Sequence, residues 1–297
     1  MEKLNDRFDE IIPPTTQLEV LTEGHGWTEG PLWLPEQKCV IYSDVPKNIA
    51  YRWSESDGKT KYLEPSGYTG DQPNRPGSNG LALDNDGNLV LCHNGNRIIA
   101  KLKSQLSDPQ PIYDTLAASF EGKKFNSPND LVIDSKGNIY FTDPNFGLDM
   151  AEKELDFQGV YKVSPDGDVQ LLTSKWATPN GIGLSPDERT LYIANTKPAL
   201  FISYDILENG ELANEKILMD MEDAWEKSVA KQRPDGMAIN QAGVIFLTGP
   251  DGVFVIAPDG THLGTIKTDK RTSNCTFNED ESVLYITCHE LLLRAQL

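Results

Sequence analysis

The sequence repeats one short apolar segment six times, and this repeat constrains the fold more than any other feature. Each copy follows a turn rich in Asp, Asn, Gly or other polar residues, and another short apolar segment stands before that turn. Segments of this length joined by such turns are typical of antiparallel β-hairpins. The copies are VIYSD at 40–44, LVLCH at 89–93, IYFTD at 139–143, LYIAN at 191–195, IFLTG at 245–249 and LYITC at 284–288.

A two-residue tag that begins with a polar side chain stands ahead of the first strand in every repeat. The tags are Glu29-Gly30, Asn79-Gly80, Asn129-Asp130, Asn180-Gly181, Asp235-Gly236 and Asn274-Cys275. Successive tags are 50, 50, 51, 55 and 39 residues apart. Units of about 50 residues with about four strands each are typical of β-propellers. The predicted fold is all-β: a six-bladed β-propeller with four-stranded blades, forming one domain over residues 1–297.

The two ends of the chain are expected to meet in the last blade. The sixth repeat reaches the C-terminus before a fourth strand, so we expect residues 18–22 (LEVLT) to supply it and to remove an exposed sheet edge. Residues 1–15 then form an N-terminal extension. Residues 221–232 (MEDAWEKSVAKQ) are rich in Ala, Glu and Lys and predict a helical insertion before the fifth tag. This insertion is either a partial lid over the channel or a helix packed on the rim.

The charge balance argues against two classes of partner. The chain carries 45 acidic and 27 basic residues, a net charge of -18, which repels phosphate backbones and anionic lipid. We therefore expect neither nucleic acid nor a membrane as a partner, and a monomer or a small homo-oligomer. The N-terminus lacks the pattern of a signal peptide, so the expected location is cytoplasmic, or periplasmic if a signal was removed. Cys39 and Cys92 lie in or beside apolar strands, where free buried thiols are expected.

The polar residues of the tags are the candidate functional residues of the predicted propeller. Because the first strand of each blade lines the central channel, equivalent positions of the repeat converge there. These positions hold six oxygen-bearing side chains: Glu29, Asn79, Asn129, Asn180, Asp235 and Asn274. Turn formation explains any single Asx-Gly pair, but Glu is a poor turn residue, and six polar side chains in one channel need a partner. Carboxylate and amide oxygens fit a hard divalent cation, Ca²⁺ best, with Mg²⁺ or Mn²⁺ as alternatives.

Longer motifs around these tags resemble a known family. The motifs are TEGPLW (28–33), PSGYTG (65–70), GSNGLALD (77–84), NSPNDLVID (126–134), YFTDPNFG (140–147), PNGIGLSPDERTLYIANT (179–196), PDGMAI (234–239) and SNCTF (273–277). Together they resemble the gluconolactonase, senescence-marker-protein-30 and luciferin-regenerating family of six-bladed propeller hydrolases. The resemblance implies a lactonase of carbohydrate metabolism whose substrate is a small sugar lactone.

The resemblance also implies roles for individual residues. The family's metal ligands correspond to Glu29, Asn129, Asn180 and Asp235. The implied cation is Ca²⁺, with Mg²⁺, Mn²⁺ or Zn²⁺ as alternatives; it would polarise the lactone carbonyl while Asp235 acts as general base. The implied substrate-binding residues are Asn79, His93, Asn129, Ser127 and Asn274.

Two of these positions carry alternatives. Ser127 stands where animal members of the family have an Arg, which leaves the sugar specificity open. His93 is as readily explained by a hydrogen-bond network within a loop.

Two other functions stay open at the level of sequence. One is a different esterase activity on the same scaffold, such as phosphotriester hydrolysis, because a fold does not fix a function. The other is a non-catalytic propeller that serves as a binding platform. The sequence contains no GxSxG, HExxH or GxxxxGK[ST] motif that would favour another hydrolase or nucleotide chemistry.

Overall fold

Six antiparallel sheets surround a channel in the computed structural model, which describes residues 1–297. The innermost strand of each blade contacts the innermost strands of both neighbouring blades, and blade 6 contacts blade 1, so the ring is closed. The predicted six-bladed propeller with four-stranded blades is confirmed.

The blades are numbered in chain order, and the strands of each blade run from the channel outwards. Blade 1 consists of Thr28–Leu34, Cys39–Asp44, Ile49–Ser54 and Gly58–Leu63, and blade 2 of Ser78–Leu83, Leu89–His93, Ile98–Leu102 and Tyr113–Ala117. Blade 3 consists of Leu131–Ile133, Ile139–Asp143, Gly159–Val163 and Val169–Thr173, and blade 4 of Pro179–Leu184, Thr190–Asn195, Leu200–Ile206 and Leu212–Asp220. Blade 5 consists of Met237–Ile239, Ile245–Gly249, Gly252–Ile256 and His262–Lys267, and blade 6 of Thr272–Phe277, Val283–Cys288, Leu291–Gln296 and Leu18–Thr22.

The remaining regular elements are short. Ser119–Phe120 and Lys123–Lys124 form a two-stranded ribbon, and Val45–Lys47 and Met150–Glu152 are single turns of 3₁₀-helix. The two α-helices are Phe8–Ile11 and Glu222–Lys227. Neither is long or apolar enough to cross a membrane.

The N-terminal strand closes the ring as the sequence predicts. Leu18–Thr22 pairs antiparallel with Leu291–Gln296, with Leu18 opposite Ala295 and Val20 opposite Leu293. The sheet edge that the end of the chain would leave exposed in blade 6 is therefore paired. The extension before this strand is also structured. Glu2–Lys3 adds a fifth strand to blade 5, and Phe8 is buried against the same blade.

Apolar side chains of the middle strands fill the space between adjacent blades. The strand Cys39–Asp44 is buried along its whole length, which explains why residues 39–42 are continuously apolar rather than alternating. Aromatic rings take part in this packing; the stacked rings of Phe141 and Tyr161, for example, have centroids 5.2 Å apart. Cys39 and Cys92 are buried free thiols, as the sequence predicts.

Glycine follows several of the polar tag residues because adjacent blades meet there. Gly30 has a positive φ of 47°, and a Cβ at this position would lie 2.0 Å from the carbonyl oxygen of Asn79 in the next blade. A Cβ on Gly181 would likewise lie 2.0 Å from the carbonyl oxygen of Asp235. Only glycine lets the innermost strands approach this closely. The close approach brings the preceding polar side chains to a common centre.

Side-chain hydroxyls tie two of the tags, and the residue before a third, to the preceding blade. Ser43, in the second strand of blade 1, donates to the carbonyl oxygen of Asn79 at 2.9 Å. The equivalent hydroxyl of blade 3, on Thr142, donates to the carbonyl oxygen of Asn180 at 2.6 Å. That of blade 5, on Thr248, donates to the carbonyl oxygen of Ser273 at 2.9 Å. These buried bonds hold the tags at fixed distances around the channel.

The helix in the insertion is shorter than predicted. The sequence predicts a helix over 221–232, but the α-helix spans only Glu222–Lys227. Ser228 is extended, and the backbone N–H groups of Val229 and Ala230 donate to Oδ1 of Asp251 at 2.9 and 2.8 Å. The side chain of Asp251, in blade 5, therefore accepts hydrogen bonds from backbone N–H groups that would otherwise bond within a longer helix.

Candidate functional site in the central channel

A cavity of about 360 Å³ opens at one end of the channel. Five of the six tag side chains line it, each from a different blade: Glu29, Asn79, Asn129, Asn180 and Asp235. All five are at most 6% exposed, so they form the floor of the cavity rather than its rim. The structure therefore brings together the four residues assigned above as metal ligands, and their roles stay predictions.

The sixth tag residue lies outside this cavity. Asn274 and Asp130 line a second cavity on the opposite side of the tags. The amide Oδ1 of Asn274 accepts from the backbone N–H of Cys275 at 2.8 Å, and its Nδ2 lies 3.5 Å from Oδ2 of Asp130. The absent side chain of Gly236 leaves the space that Asn274 fills, because a Cβ there would lie 2.0 Å from Cγ of Asn274. Asn274 is thus not placed to contact a molecule in the first cavity.

Three amides on the cavity floor form a directed chain of hydrogen bonds. Nδ2 of Asn79 donates to Oδ1 of Asn129 at 2.7 Å, and Nδ2 of Asn129 donates to Oδ1 of Asn180 at 2.6 Å. Nδ2 of Asn180 then donates to Oγ1 of Thr196 at 3.0 Å. The chain fixes the orientation of each amide. Oδ1 of Asn79, at its start, is buried and accepts no hydrogen bond.

Two buried carboxylates share the floor with these amides. Oε1 of Glu29 accepts from Nε1 of Trp27 at 3.1 Å, and Oδ2 of Asp235 accepts from Nε2 of Gln232 at 2.8 Å. Burial raises the pKa of Glu29 to about 8, with the hydrogen bond from Trp27 opposing the shift and repulsion from Asp130 adding to it. Burial also holds the pKa of Asp235 well above its usual range, with added repulsion from Glu29 and Asp130. Neither carboxylate forms an ion pair within the protein, so nothing on the floor compensates their charge.

The residues present fit a hard cation, provided that amides take part. No group of three or more His, Cys, Asp or Glu side chains is arranged to hold a metal, so carboxylates alone would not suffice. Glu29 and Asp235 supply two carboxylates, and the oriented amides supply neutral oxygens beside them. Oxygen donors of this kind suit Ca²⁺ or Mg²⁺ rather than a soft metal. The two buried acids without an ion-pair partner are the feature that a bound cation would satisfy.

Ser127 and His93 lie away from the cavity. The backbone N–H of Ser127 donates to Oδ1 of Asp143 at 2.7 Å, and its buried Oγ has no partner. The ring of His93 is fully buried and meets Tyr113 edge to face, with centroids 4.5 Å apart. Burial lowers the pKa of His93 to about 3, so the ring is neutral at physiological pH. Neither side chain reaches the space that the tag residues enclose.

The place of His93 in the repeat explains its burial. The equivalent residues of blades 1 and 3, Asp44 and Asp143, accept hydrogen bonds from backbone N–H groups just before the innermost strand of the same blade. Asn195 of blade 4 does the same for Thr178, at 3.0 Å. The position therefore stabilises the loop rather than facing the channel. Asn94, the next residue after His93, lines the cavity instead.

Several cavity residues carry no signal in the repeat. Trp27 directly precedes the motif TEGPLW, and Thr196 is the last residue of the motif at 179–196, so an inspection of the motif ends could have found both. Lys231, Gln232 and Arg233 lie in the irregular segment after the short helix, while the helix Glu222–Lys227 itself does not reach the cavity. The part of the insertion that covers the site is thus its non-helical end.

Comparison with known proteins gives consistent relatives over nearly the whole chain. The SMP-30/Gluconolactonase/LRE-like region matches residues 27–290. A gluconolactonase from Zymomonas mobilis is 33% identical over 307 aligned positions, which cover 99% of this chain and 85% of the relative. Regucalcin from Homo sapiens is 26% identical, covering 91% of this chain and 85% of the relative.

A solved structure agrees with both sequence relatives. The gluconolactonase from Xanthomonas campestris superimposes with a TM-score of 0.85 at 29% sequence identity. The match covers 100% of this chain and 94% of that structure.

Proposed function

Because this chain belongs to the SMP-30/gluconolactonase/LRE-like family and is a lactonase, we propose that it hydrolyses sugar lactones in the cavity floored by the tag residues. The observation that carries the proposal is the pair of buried carboxylates, Glu29 and Asp235, which face one cavity beside oriented amides. Uncompensated acids at the floor of a polar cavity are typical of sites that bind a cation or move a proton.

The residues that would hold the cation are Glu29, Asn129, Asn180 and Asp235. Ca²⁺ fits this donor set best, with Mg²⁺, Mn²⁺ and Zn²⁺ as alternatives. When bound, the cation supplies positive charge beside the lactone carbonyl oxygen, where negative charge develops during attack by water.

Asp235 is the side chain that we assign as general base. Hydrolysis forms a bond between the water oxygen and the carbonyl carbon and breaks the bond from that carbon to the ring oxygen. The water proton passes to Asp235 and then to the departing ring oxygen, which becomes a hydroxyl of the hydroxy acid. Burial raises the pKa of Asp235, which makes its carboxylate a stronger base than that of a solvated aspartate.

Other floor and wall residues would position the sugar. The amides of Asn79 and Asn129 can meet its hydroxyls, and the indole of Trp27 offers an apolar wall. Ser127, His93 and Asn274 lie outside the cavity and take no direct part in the proposed chemistry.

The test is hydrolysis of glucono-1,5-lactone, followed through proton release and corrected for the spontaneous reaction. We expect turnover that is lost on exhaustive chelation and restored by Ca²⁺ or another hard divalent ion. A phosphotriester run in parallel should be hydrolysed far more slowly. Full activity in a metal-free sample would refute the role of the cation, and preference for the phosphotriester would favour the alternative esterase.

A further inference from the structure

Three basic side chains line the solvent-facing part of the cavity: Lys231, Arg233 and Arg271. Lys231 and Arg271 are exposed, whereas the carboxylates of Glu29 and Asp235 are buried at the floor. The cavity thus has basic side chains at its solvent-facing end and acidic side chains at its floor. Such a basic rim is unexpected in a chain whose net charge is -18.

The protein holds these cations in place. The guanidinium of Arg233 lies 3.6 Å from the ring centroid of Trp225, and its Nη1 donates to Oε1 of Glu222 at 2.6 Å. Nζ of Lys231 donates to the carbonyl oxygen of Glu226 at 2.6 Å. The short helix therefore holds Lys231 and Arg233 in fixed positions at the edge of the cavity that both residues line. Ordered cations bind an anion at a smaller entropic cost than mobile ones.

Two of the three cations lack a counter-ion. Nε of Arg271 lies 3.4 Å from a backbone carbonyl oxygen. Nζ of Lys231 contacts two backbone carbonyl oxygens of the short helix and lies 5.8 Å from the ring centroid of Trp225. Neither side chain forms an ion pair, while Arg233 pairs with Glu222 alone. Donors on Arg271 and Lys231 therefore remain available to a bound molecule.

We propose that the lactone accepted here carries an anionic group, a phosphate or a carboxylate, at the end remote from the reacting carbonyl. This inference rests on the function proposed above, since it places that carbonyl at the floor and the anion at the rim. A neutral lactone would leave Lys231 and Arg271 without a charged partner, whereas an anion forms charge-assisted hydrogen bonds with both. Lys231 and Arg271 are then specificity-determining residues of the site.

The first experiment compares kcat/KM for three lactones: neutral glucono-1,5-lactone, its 6-phosphate, and a lactone of glucaric acid that carries a free carboxylate. We expect at least one anionic lactone to exceed the neutral one by about tenfold at low ionic strength, with the advantage shrinking as salt is added. The better of the two identifies the group as phosphate or carboxylate. Equal or better turnover of the neutral lactone would overturn the inference and leave the proposed function standing.

The second experiment assigns the preference to the rim. We expect Lys231→Met and Arg271→Met each to lower the ratio of anionic to neutral kcat/KM by about threefold, and the double variant by about tenfold. Lys216→Met, an exposed lysine on the outer strand of blade 4, is the matched control and should keep the ratio. A ratio that the double variant does not change would overturn the inference. Failure of wild-type protein to hydrolyse any of the three lactones would overturn the proposed function itself.

Discussion

The side-chain amide of Gln232 donates a 2.8 Å hydrogen bond to Oδ2 of Asp235. Gln232 belongs to the irregular segment after the short helix, and Asp235 is the tag residue of blade 5. The bond favours the ionised form of a carboxyl whose pKa burial raises. It also directs the carboxylate into the cavity. Part of the insertion thus orients the residue to which we assign the proton transfer.

Gln232→Met should lower kcat for lactone hydrolysis by about tenfold, because a hydrogen bond to a charged group contributes about 1.5–3 kcal/mol. The measurement is kcat at saturating metal, together with the melting temperature to exclude unfolding. Gln241→Met, at an exposed turn of blade 5, is the matched control and should behave as wild type. An unchanged kcat in Gln232→Met would show that Asp235 needs no support from this bond.

Asp235→Asn should reduce kcat by about 10² to 10⁴ while weakening metal binding less, because an amide oxygen can replace the carboxylate as a ligand but cannot accept the proton. Steady-state kinetics and metal titration separate the two effects. Asp223→Asn, on the exposed face of the short helix, is the control. If Asp235→Asn works near the wild-type rate at saturating metal, another group is the base.

Glu29→Gln should raise the dissociation constant for the divalent cation at least tenfold, because one of two carboxylates on the floor loses its charge. Without metal, the variant should melt at or above the wild-type temperature, since an uncompensated buried acid is removed. Calorimetric titration and thermal unfolding measure the two quantities. The exposed substitution Glu23→Gln serves as control. Unaltered metal affinity in Glu29→Gln would exclude Glu29 as a ligand.

His93→Phe should make the fold less sensitive to acid. Burial lowers the pKa of His93 to about 3, against 6.5 for the free side chain. As pH falls from 6.5 toward 3, His93 binds a proton in the unfolded chain but not in the folded chain. The free energy of unfolding therefore decreases over this pH range. At pH 5 the loss is about 2 kcal/mol.

Urea unfolding at pH 7.5 and pH 5 measures this effect. The free energy of unfolding of His93→Phe should fall by about 2 kcal/mol less than that of wild type between the two pH values. The other titrating groups are common to both proteins and cancel in the comparison. An equal fall in both proteins would mean that His93 is protonated in the folded state.

Much of the fold follows from local sequence. The apolar strands and their polar turns need only neighbouring residues to form hairpins, so the number of blades and the closing strand 18–22 are readable from the repeat. The tags stand directly before or at the start of the first strand of each repeat, so their positions in the sequence also predict the innermost strands. Local propensity was less reliable for the insertion at 221–232, where Asp251, a residue distant in sequence, ends the helix early.

The sequence by itself determined the six-bladed architecture and the oxygen-bearing side chains that converge on the channel. Only the tertiary structure decided which of them share one cavity: Asn274 lies on the opposite side of the tags, and Asn94 rather than His93 lines the wall. It also decided that Lys231, Arg233 and Arg271 meet at the rim. The physical reason is that strand pairing is encoded by neighbouring residues, whereas the direction of each side chain depends on backbone contacts between blades that lie about 50 residues or more apart in sequence.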